Sequence, residues 1–511
     1  MTQISFGSLP GTSAFFLDYL YNWTKVQRFY DRPYTLESIL EFGRSRLAEG
    51  LPHRERLCRA LAEQQRSWGG STASVEKLAA GAVAVVAGQQ PALFTGPNYT
   101  ILKAITAIKL ARVLNDAGLP TVPVFWIAGE DHDYEEIQST TVLNKESNLQ
   151  KFGVDLSNDE SSPVGWLRFQ DNVKATVEEC LSALPQSEFL PDLRSQLETS
   201  YQPEVSPVDA FARMMMRLFG DSGLILANPL HPELKAIGEP TLRAVVEHNS
   251  ELRHAVITRS RAIAEAGYHE QVKVDEGFTG LFALRGKSRQ VLRPQDLSAS
   301  ATLSANVLVR PVLQDTIFPN VALIGGPAEI AYLAQAAAVY RFLGRPATPA
   351  FPRISATVLE ARVSRALRKY GLQFEDAFHG KEFMKRKAVE SVRGVDIFAK
   401  VKRNVAENIE SLRGVMNSVD PTLIGALETA RQKMMYQVET LETKFVNAEA
   451  KRNDLIEKQL DLIAHSVFPE KKLQERVFNV TSFIARYGSG FLKRLEDSLT
   501  LESTRHQVVE L

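Results

Sequence analysis

Apolar positions along this chain follow two rhythms, short unbroken runs and spacings of three to four, and their alternation outlines the fold. Gly81 to Ala87 is a valine-rich run bounded by glycines, which predicts a strand buried on both faces. After the loop from Gly88 to Pro97, the apolar residues Ile101, Leu102, Ile105, Ile108 and Leu110 alternate with Lys103, Thr106, Lys109 and Arg112. That spacing predicts a helix from Asn98 with one covered and one wetter face, closed at Gly118. The run Thr121 to Ala128 completes a strand, helix, strand unit whose right-handed crossover is close to obligatory. Runs at Gly223 to Pro229, Asn320 to Gly325 and Thr348 to Pro352 extend the same sheet, and Pro327 opens a helix with Ile330, Leu333 and Ala337 on its apolar face. The predicted class is α/β with an open parallel sheet.

Between these elements the pattern weakens and returns, which divides the chain. Residues 1–80 read as a helical preface, 81–139 as the first half of the core, 140–207 as an insertion, and 208–266 as core again with a helix from Leu234 to Ala266. Residues 267–305 read as a second insertion, in which Val272-Lys273-Val274 and Leu281 to Arg285 suggest a hairpin, and 306–375 as the second half of the core. Over 376–467 the apolar spacing of threes, fours and sevens, interrupted at Asp420-Pro421, predicts two antiparallel helices in a coiled-coil arm, with 468–511 returning from it.

Composition narrows the class. Lysine plus arginine equals aspartate plus glutamate at 60 each, so no general attraction to nucleic acid or to a membrane surface is expected. No run reaches the roughly 18 apolar residues of a membrane span. Met1 to Pro10 lacks the form of a signal peptide, so a cytoplasmic location is expected. Cys58 and Cys180 sit apart in helical stretches and read as buried thiols.

Two loops concentrate the candidate chemistry. In Gly88, Gln89, Gln90, Thr95, Gly96, Asn98 and Tyr99, small residues, hydroxyls and amides lead into a helix start, with Lys103 projecting from its first turns. Such a loop at the carboxyl end of a strand suits a phosphate or carboxylate, although a tight turn needing glycine only for its backbone gives the same glycines. The second loop, Glu130-Asp131-His132-Asp133, places three carboxylates around one imidazole directly after a buried strand. It admits metal ligation, recognition of an amine, or a tuned acid-base histidine, against the plainer reading of a charged helix start. Arg310, Gln314, Asp315, Gly325, Gly326, Glu329 and Arg353 are candidates for a second wall. Lys472, Arg476, Arg486 and Tyr487 are candidates for a further anion site.

The wording Gly-Gln-Gln-Pro-x-Leu-Phe-Thr-Gly-Pro from Gly88, Phe-Trp-Ile-Ala-Gly-Glu-Asp-His-Asp from Phe125, Gly-Gly-Pro-x-Glu-Ile-Ala-Tyr from Gly325 and Leu-Gln-Glu-Arg from Leu473 resembles the bacillithiol biosynthesis cysteine-adding family, BshC, over nearly the whole chain. Ala92, where glycine is more usual, and Asn98, where an apolar residue is common, are mild departures. The resemblance implies a Rossmann-like core with connective-peptide insertions, a C-terminal coiled coil and a homodimer. It also implies a reaction joining the carboxyl group of cysteine to the amine of glucosaminyl-malate. Amide formation from a free carboxylate is uphill in water, so ATP, with Mg²⁺, is expected. Asp131, His132 and Asp133 are then the acid-base candidates, with no metal ligand assigned. The core is akin to class I aminoacyl-tRNA synthetases, but Leu93-Phe94-Thr95-Gly96 stands where their His-x-Gly-His start would be, and no Lys-Met-Ser-Lys-Ser loop is present. The analogy therefore carries the fold and not the catalytic residues. A transferase on the same core, or a metabolite-binding scaffold, are the competing expectations.

Overall fold

Five parallel strands position the site. In the computed structural model, which describes residues 2–157, 161–297, 302–393, 397–452 and 454–511, they are β1 (Val83–Gln89), β2 (Thr121–Ile127), β3 (Ile225–Ala227), β4 (Asn320–Gly325) and β5 (Ala350–Pro352). They lie in the order β5-β4-β1-β2-β3. From β1 the chain proceeds outward through β2 to β3, and from β4 outward the other way to β5, so the order reverses between β1 and β4. In an open parallel sheet a crevice forms outside the carboxyl ends of the strands at such a reversal. Gly88 and Gln89 pair with Trp126 and Ile127, which brings the first loop and the acidic loop out side by side.

The local causes are visible in the sequence. Every residue of β2 is buried, as the unbroken apolar run requires for a strand covered on both faces. Helix α1 (Tyr99–Asp116) ends at a turn where Gly118 takes φ +81°, and the Asn115 amide brackets Thr121 by accepting from its N-H at 3.0 Å and donating to its carbonyl at 2.7 Å. Helix α2 (Arg310–Ile317) precedes β4, and α3 (Pro327–Phe342) follows it with an alanine-rich, almost wholly buried surface.

Several elements differ from the sequence expectation. The first residues are not only helical, because Thr2–Ser5 pairs antiparallel with residues 505–508 and ties the two ends of the chain together. The helix expected over Leu234 to Ala266 is two, Pro232–Glu247 and Asn249–Glu265, broken at His248. In the second insertion Leu281–Arg285 pairs with Ser288–Val291 and Thr302–Ala305. Val272 is instead held by the Gln335 amide, which accepts from its N-H at 2.9 Å and donates to its carbonyl at 2.8 Å, so that segment docks on α3. The first insertion contains a hairpin, Ser139–Leu143 with Leu149–Gly153, and helices Asn172–Ala183 and Leu190–Ser200.

Residues 1–357 and 474–509 form one compact unit, and 358–473 with 510–511 a second. Within that unit, Ile397–Glu410 and Leu423–Arg452 run antiparallel. Phe398 meets Phe445, and Lys402 pairs with Glu442 at 2.7 Å, one number rising as the other falls. Among the described residues no helix is long and apolar enough to cross a membrane. Cys58 and Cys180 are buried thiols, the latter pushed up to about 12 by burial.

Candidate active site

A cleft of about 300 Å³ opens at the sheet's reversal point. Gly88, Gln89 and Gln90 enter it from β1, Ala128 and Asp131 from the end of β2, Gly326 and Glu329 from the start of α3, and Arg353 from the end of β5. Its centre is Lys103. The ammonium reaches back from α1 to donate to the Gly88 carbonyl and the Gln89 amide oxygen, both at 2.8 Å, and pairs with Glu329 at 2.7 Å. Burial lowers the Lys103 pKa and Glu329 opposes that shift. Glu329 also accepts from the Gly326 N-H at 2.8 Å, closing the first turn of α3. Burial works against the Glu329 carboxylate, yet Lys103 holds it below its ordinary range.

The cationic wall is built from afar. Arg310 donates to the Tyr332 hydroxyl at 2.6 Å, while its buried Nε has no partner among the described residues. Arg353 pairs with the buried Glu475 at 2.5 Å. Glu475 in turn accepts from the Ser355 hydroxyl at 3.0 Å and the Ala356 N-H at 2.8 Å. His506 bridges Ser355 and Thr357 at 2.8 and 2.9 Å, and burial depresses it to about 4. Exposed Arg476 completes the wall.

The acidic loop divides its labour. Asp131 lines the cleft and accepts from the Gln90 amide at 2.7 Å. Glu136, a residue not singled out from the sequence, lines it too and lies 3.3 Å from both the Tyr99 hydroxyl and the Gln89 amide. Glu136 is exposed at the rim, and partial desolvation there, with Asp133 and Asp131 adding to it, raises its pKa. Burial likewise pushes the Tyr99 phenol well above its ordinary range. His132 is otherwise engaged. Its Nδ1 lies 2.8 Å from Arg289, which can only donate, so the neutral ring carries its proton on Nε2. Burial and the Arg289 charge both lower its pKa. Arg289 comes from the second insertion, and no local signal in the sequence pointed to it.

Other candidates serve the frame. Glu130 pairs with Lys235 at 2.5 Å and accepts from Ser304 at 2.8 Å, and Asp133 caps the short helix Tyr134–Ile137 through the Glu136 N-H. Thr95, Gly96 and Asn98 do not line the cleft. Asn479 donates to the Phe94 and Gly96 carbonyls at 2.8 and 2.9 Å, and the Asn98 N-H bonds Phe478, so this turn is gripped from behind. The grip sustains left-handed φ values of 52° at Phe94 and 76° at Thr95. Gly325 packs where a Cβ would come within 3.0 Å of the Glu329 Cβ. Asp315 lies near the amino end of β4, bonded to Asn320 at 2.7 Å and to Thr348, and burial raises it to about 6. It belongs to the core rather than to a substrate wall. Of the further anion group, only Arg476 reaches the cleft. Arg486 donates to the Ser482, Leu143 and Asn144 carbonyls, Tyr487 stacks on Phe491, and exposed Lys472 belongs to the second unit. Among the described residues no group of three or more His, Cys, Asp or Glu could hold a metal ion, so the loop at 130–133 lacks a donor set for metal ligation.

The profile described as "Bacillithiol biosynthesis BshC, N-terminal Rossmann-like domain" matches residues 1–300 and 295–354, and "Bacillithiol biosynthesis BshC, C-terminal coiled-coil domain" matches 356–511. The chain belongs to the BshC family. A relative from Koribacter versatilis is 35% identical over 97% of both chains, one from Solibacter usitatus 32% over 99% of both, and one from Salinibacter ruber 33% over 97% of this chain and 95% of that one. All three are provisionally named cysteine ligase BshC. The α/β class, the Rossmann-like parallel sheet and the coiled-coil domain expected from the sequence are those of this family.

Proposed function

We propose that this chain is a cytoplasmic ligase that joins the carboxyl group of cysteine to the amine of glucosaminyl-malate, the last step of bacillithiol biosynthesis, after activation of that carboxyl by ATP. The observation that carries the reading is the mixed charge of one cleft. Arg310, Arg353 and Arg476 line it together with Asp131 and Glu136. A substrate bearing malate carboxylates at one end and an amine at the other matches this arrangement, the carboxylates taking the guanidinium side. Glu136, its pKa raised by partial desolvation and by the nearby Asp133 and Asp131, takes the proton released as the amine attacks. Asp131 holds the amine, while His132, engaged by Arg289 and outside the cleft lining, does not serve as the base.

The cleft's own atoms fit ATP as co-substrate. The unpartnered Arg310 Nε calls for an anionic oxygen, and the unpartnered Gln90 Oε1 for a hydroxyl or ammonium. Gly88 is required by the strand itself, since a Cβ there would come within 3.0 Å of the Trp126 carbonyl of β2. Mg²⁺ would enter with the ATP phosphates and supply neutralisation of their charge, since the loop at 130–133 offers it no donor set of its own. The proposed homodimer forms through the arm, whose Val415, Val419, Tyr436 and Leu441 are exposed.

Calorimetric titration tests this reading. Glucosaminyl-malate is expected to bind, with affinity falling at least tenfold in Arg353→Met. Absence of heat with the sugar conjugate, beside tight binding of another amine, would transfer the core to a different acyl- or nucleotidyl-transfer reaction.

A further inference from the structure

Beside the cleft lies a small recess of about 30 Å³. It shares Gly88, Arg310, Glu329 and Tyr332 with the cleft, so the two communicate past the Arg310 side chain. Val86 and Ala87 of β1, Leu323 and Ile324 of β4 and Leu333 of α3 give it apolar walls. Besides Arg310, Glu329 and Tyr332 at its mouth, it is lined by one further polar group. Gln314 of α2 is 6% exposed and lines the cavity, and its side-chain amide has no hydrogen-bond partner among the described residues. Buried amides are nearly always paired, and leaving one unpaired is unfavourable. This amide sits where a bound group would pair with it.

We propose that this cavity receives the side chain of the amino-acid substrate and selects the –CH₂–SH group of cysteine. The inference rests on the ligase reading and names the part of the site that sets its specificity. One water needs roughly 10–15 Å³ of such space, so the recess holds about two water-sized groups, the size of –CH₂–SH. A thiol is a small hydrophobe with a weak donor and a weak acceptor. Its methylene meets the valine, leucine and isoleucine walls and its sulfur meets the Gln314 amide. The α-carboxylate stays in the cleft beside Arg310 and the α-ammonium beside Glu329. Homocysteine is one methylene too long. Serine fits by size but loses more hydration on entering apolar walls with one amide partner, and alanine leaves Gln314 unpaired. A pocket of this kind discriminates one methylene by about 10- to 200-fold.

The test is kcat/KM for cysteine, homocysteine, serine and alanine, with the glucosaminyl conjugates read by mass spectrometry, in wild type, Gln314→Leu and Leu333→Ala. Gln314→Leu is expected to raise KM for cysteine at least tenfold and leave KM for glucosaminyl-malate within twofold. Leu333→Ala, which enlarges the cavity, is expected to gain at least tenfold for homocysteine relative to cysteine. Should Leu333→Ala fail to fold by its melting curve, Ile324→Val asks the same question with a smaller cavity. Cysteine conjugate formed with unchanged selectivity in both variants overturns the pocket and leaves the ligase reading standing. No cysteine conjugate from the wild type overturns the ligase reading and the pocket with it.

Discussion

Lys103 and Glu329 meet at 2.7 Å at the sheet's reversal point, joining the helix after β1 to the helix after β4. The pair is lopsided, because the Lys103 side chain is 4% exposed and that of Glu329 23%. Removing the carboxylate leaves a buried ammonium with only the Gly88 and Gln89 oxygens, whereas removing the ammonium leaves a carboxylate that water reaches. Glu329→Gln is therefore expected to destabilise by about 3 kcal/mol and Lys103→Met by less, about 1 to 2 kcal/mol. Urea unfolding of both variants checks the order.

Glu136 lines the cleft with a raised pKa. If it accepts the amine proton, Glu136→Gln lowers kcat by about 10²- to 10⁴-fold with little change in KM for cysteine. The acidic limb of the wild-type pH profile, where Glu136 becomes protonated and inactive, should vanish in the variant. Retention of that limb would assign the proton elsewhere.

His132 is held neutral by burial and by Arg289 at its Nδ1. Arg289→Leu removes the adjacent positive charge, so the His132 pKa is expected to rise and the Nδ1 tautomer to gain population. Nitrogen-15 NMR of the imidazole follows both. In the same account His132→Asn impairs turnover less than Glu136→Gln does.

The strand, loop and helix around Gly88 were legible in the sequence because valine runs, glycine bounds and helical spacing are local signals. So was the clustering of acids after Ile127. The division of labour among those acids was not, since Lys235, Arg289 and Ser304 reach them from distant segments. Glu136 stood in the same acidic run, but its approach to the Tyr99 hydroxyl and the Gln89 amide depends on how α1 packs. Asp315 read as a substrate ligand by its neighbourhood to Arg310. Its partners Asn320 and Thr348 instead place it in the core. Pairing of Thr2–Ser5 with residues 505–508 joins the extremes of the chain, which no local periodicity encodes.

Asp315 and His506 should act oppositely on stability as pH changes. Burial raises Asp315 from 3.8 to about 6, so between these values the native state binds more protons than the unfolded one and stability falls as pH rises. Burial depresses His506 from 6.5 to about 4, so between these values the unfolded state binds more protons and stability rises with pH. Each shift corresponds to about 3 kcal/mol. Unfolding curves from pH 4 to 6.5 should show a steeper rise with pH in Asp315→Asn than in wild type, and a flatter or inverted one in His506→Gln.

The central claim is that the carboxyl group of cysteine is activated by ATP and captured by the amine of glucosaminyl-malate in the cleft around Lys103. The most direct measurement supplies the purified protein with cysteine labelled with oxygen-18 in its carboxyl group, glucosaminyl-malate, ATP and Mg²⁺. The expected product is the cysteinyl conjugate carrying one labelled oxygen, with the other in inorganic phosphate beside ADP or in AMP beside pyrophosphate. A conjugate formed without label in any phosphate, or ATP consumed without conjugate, would contradict it.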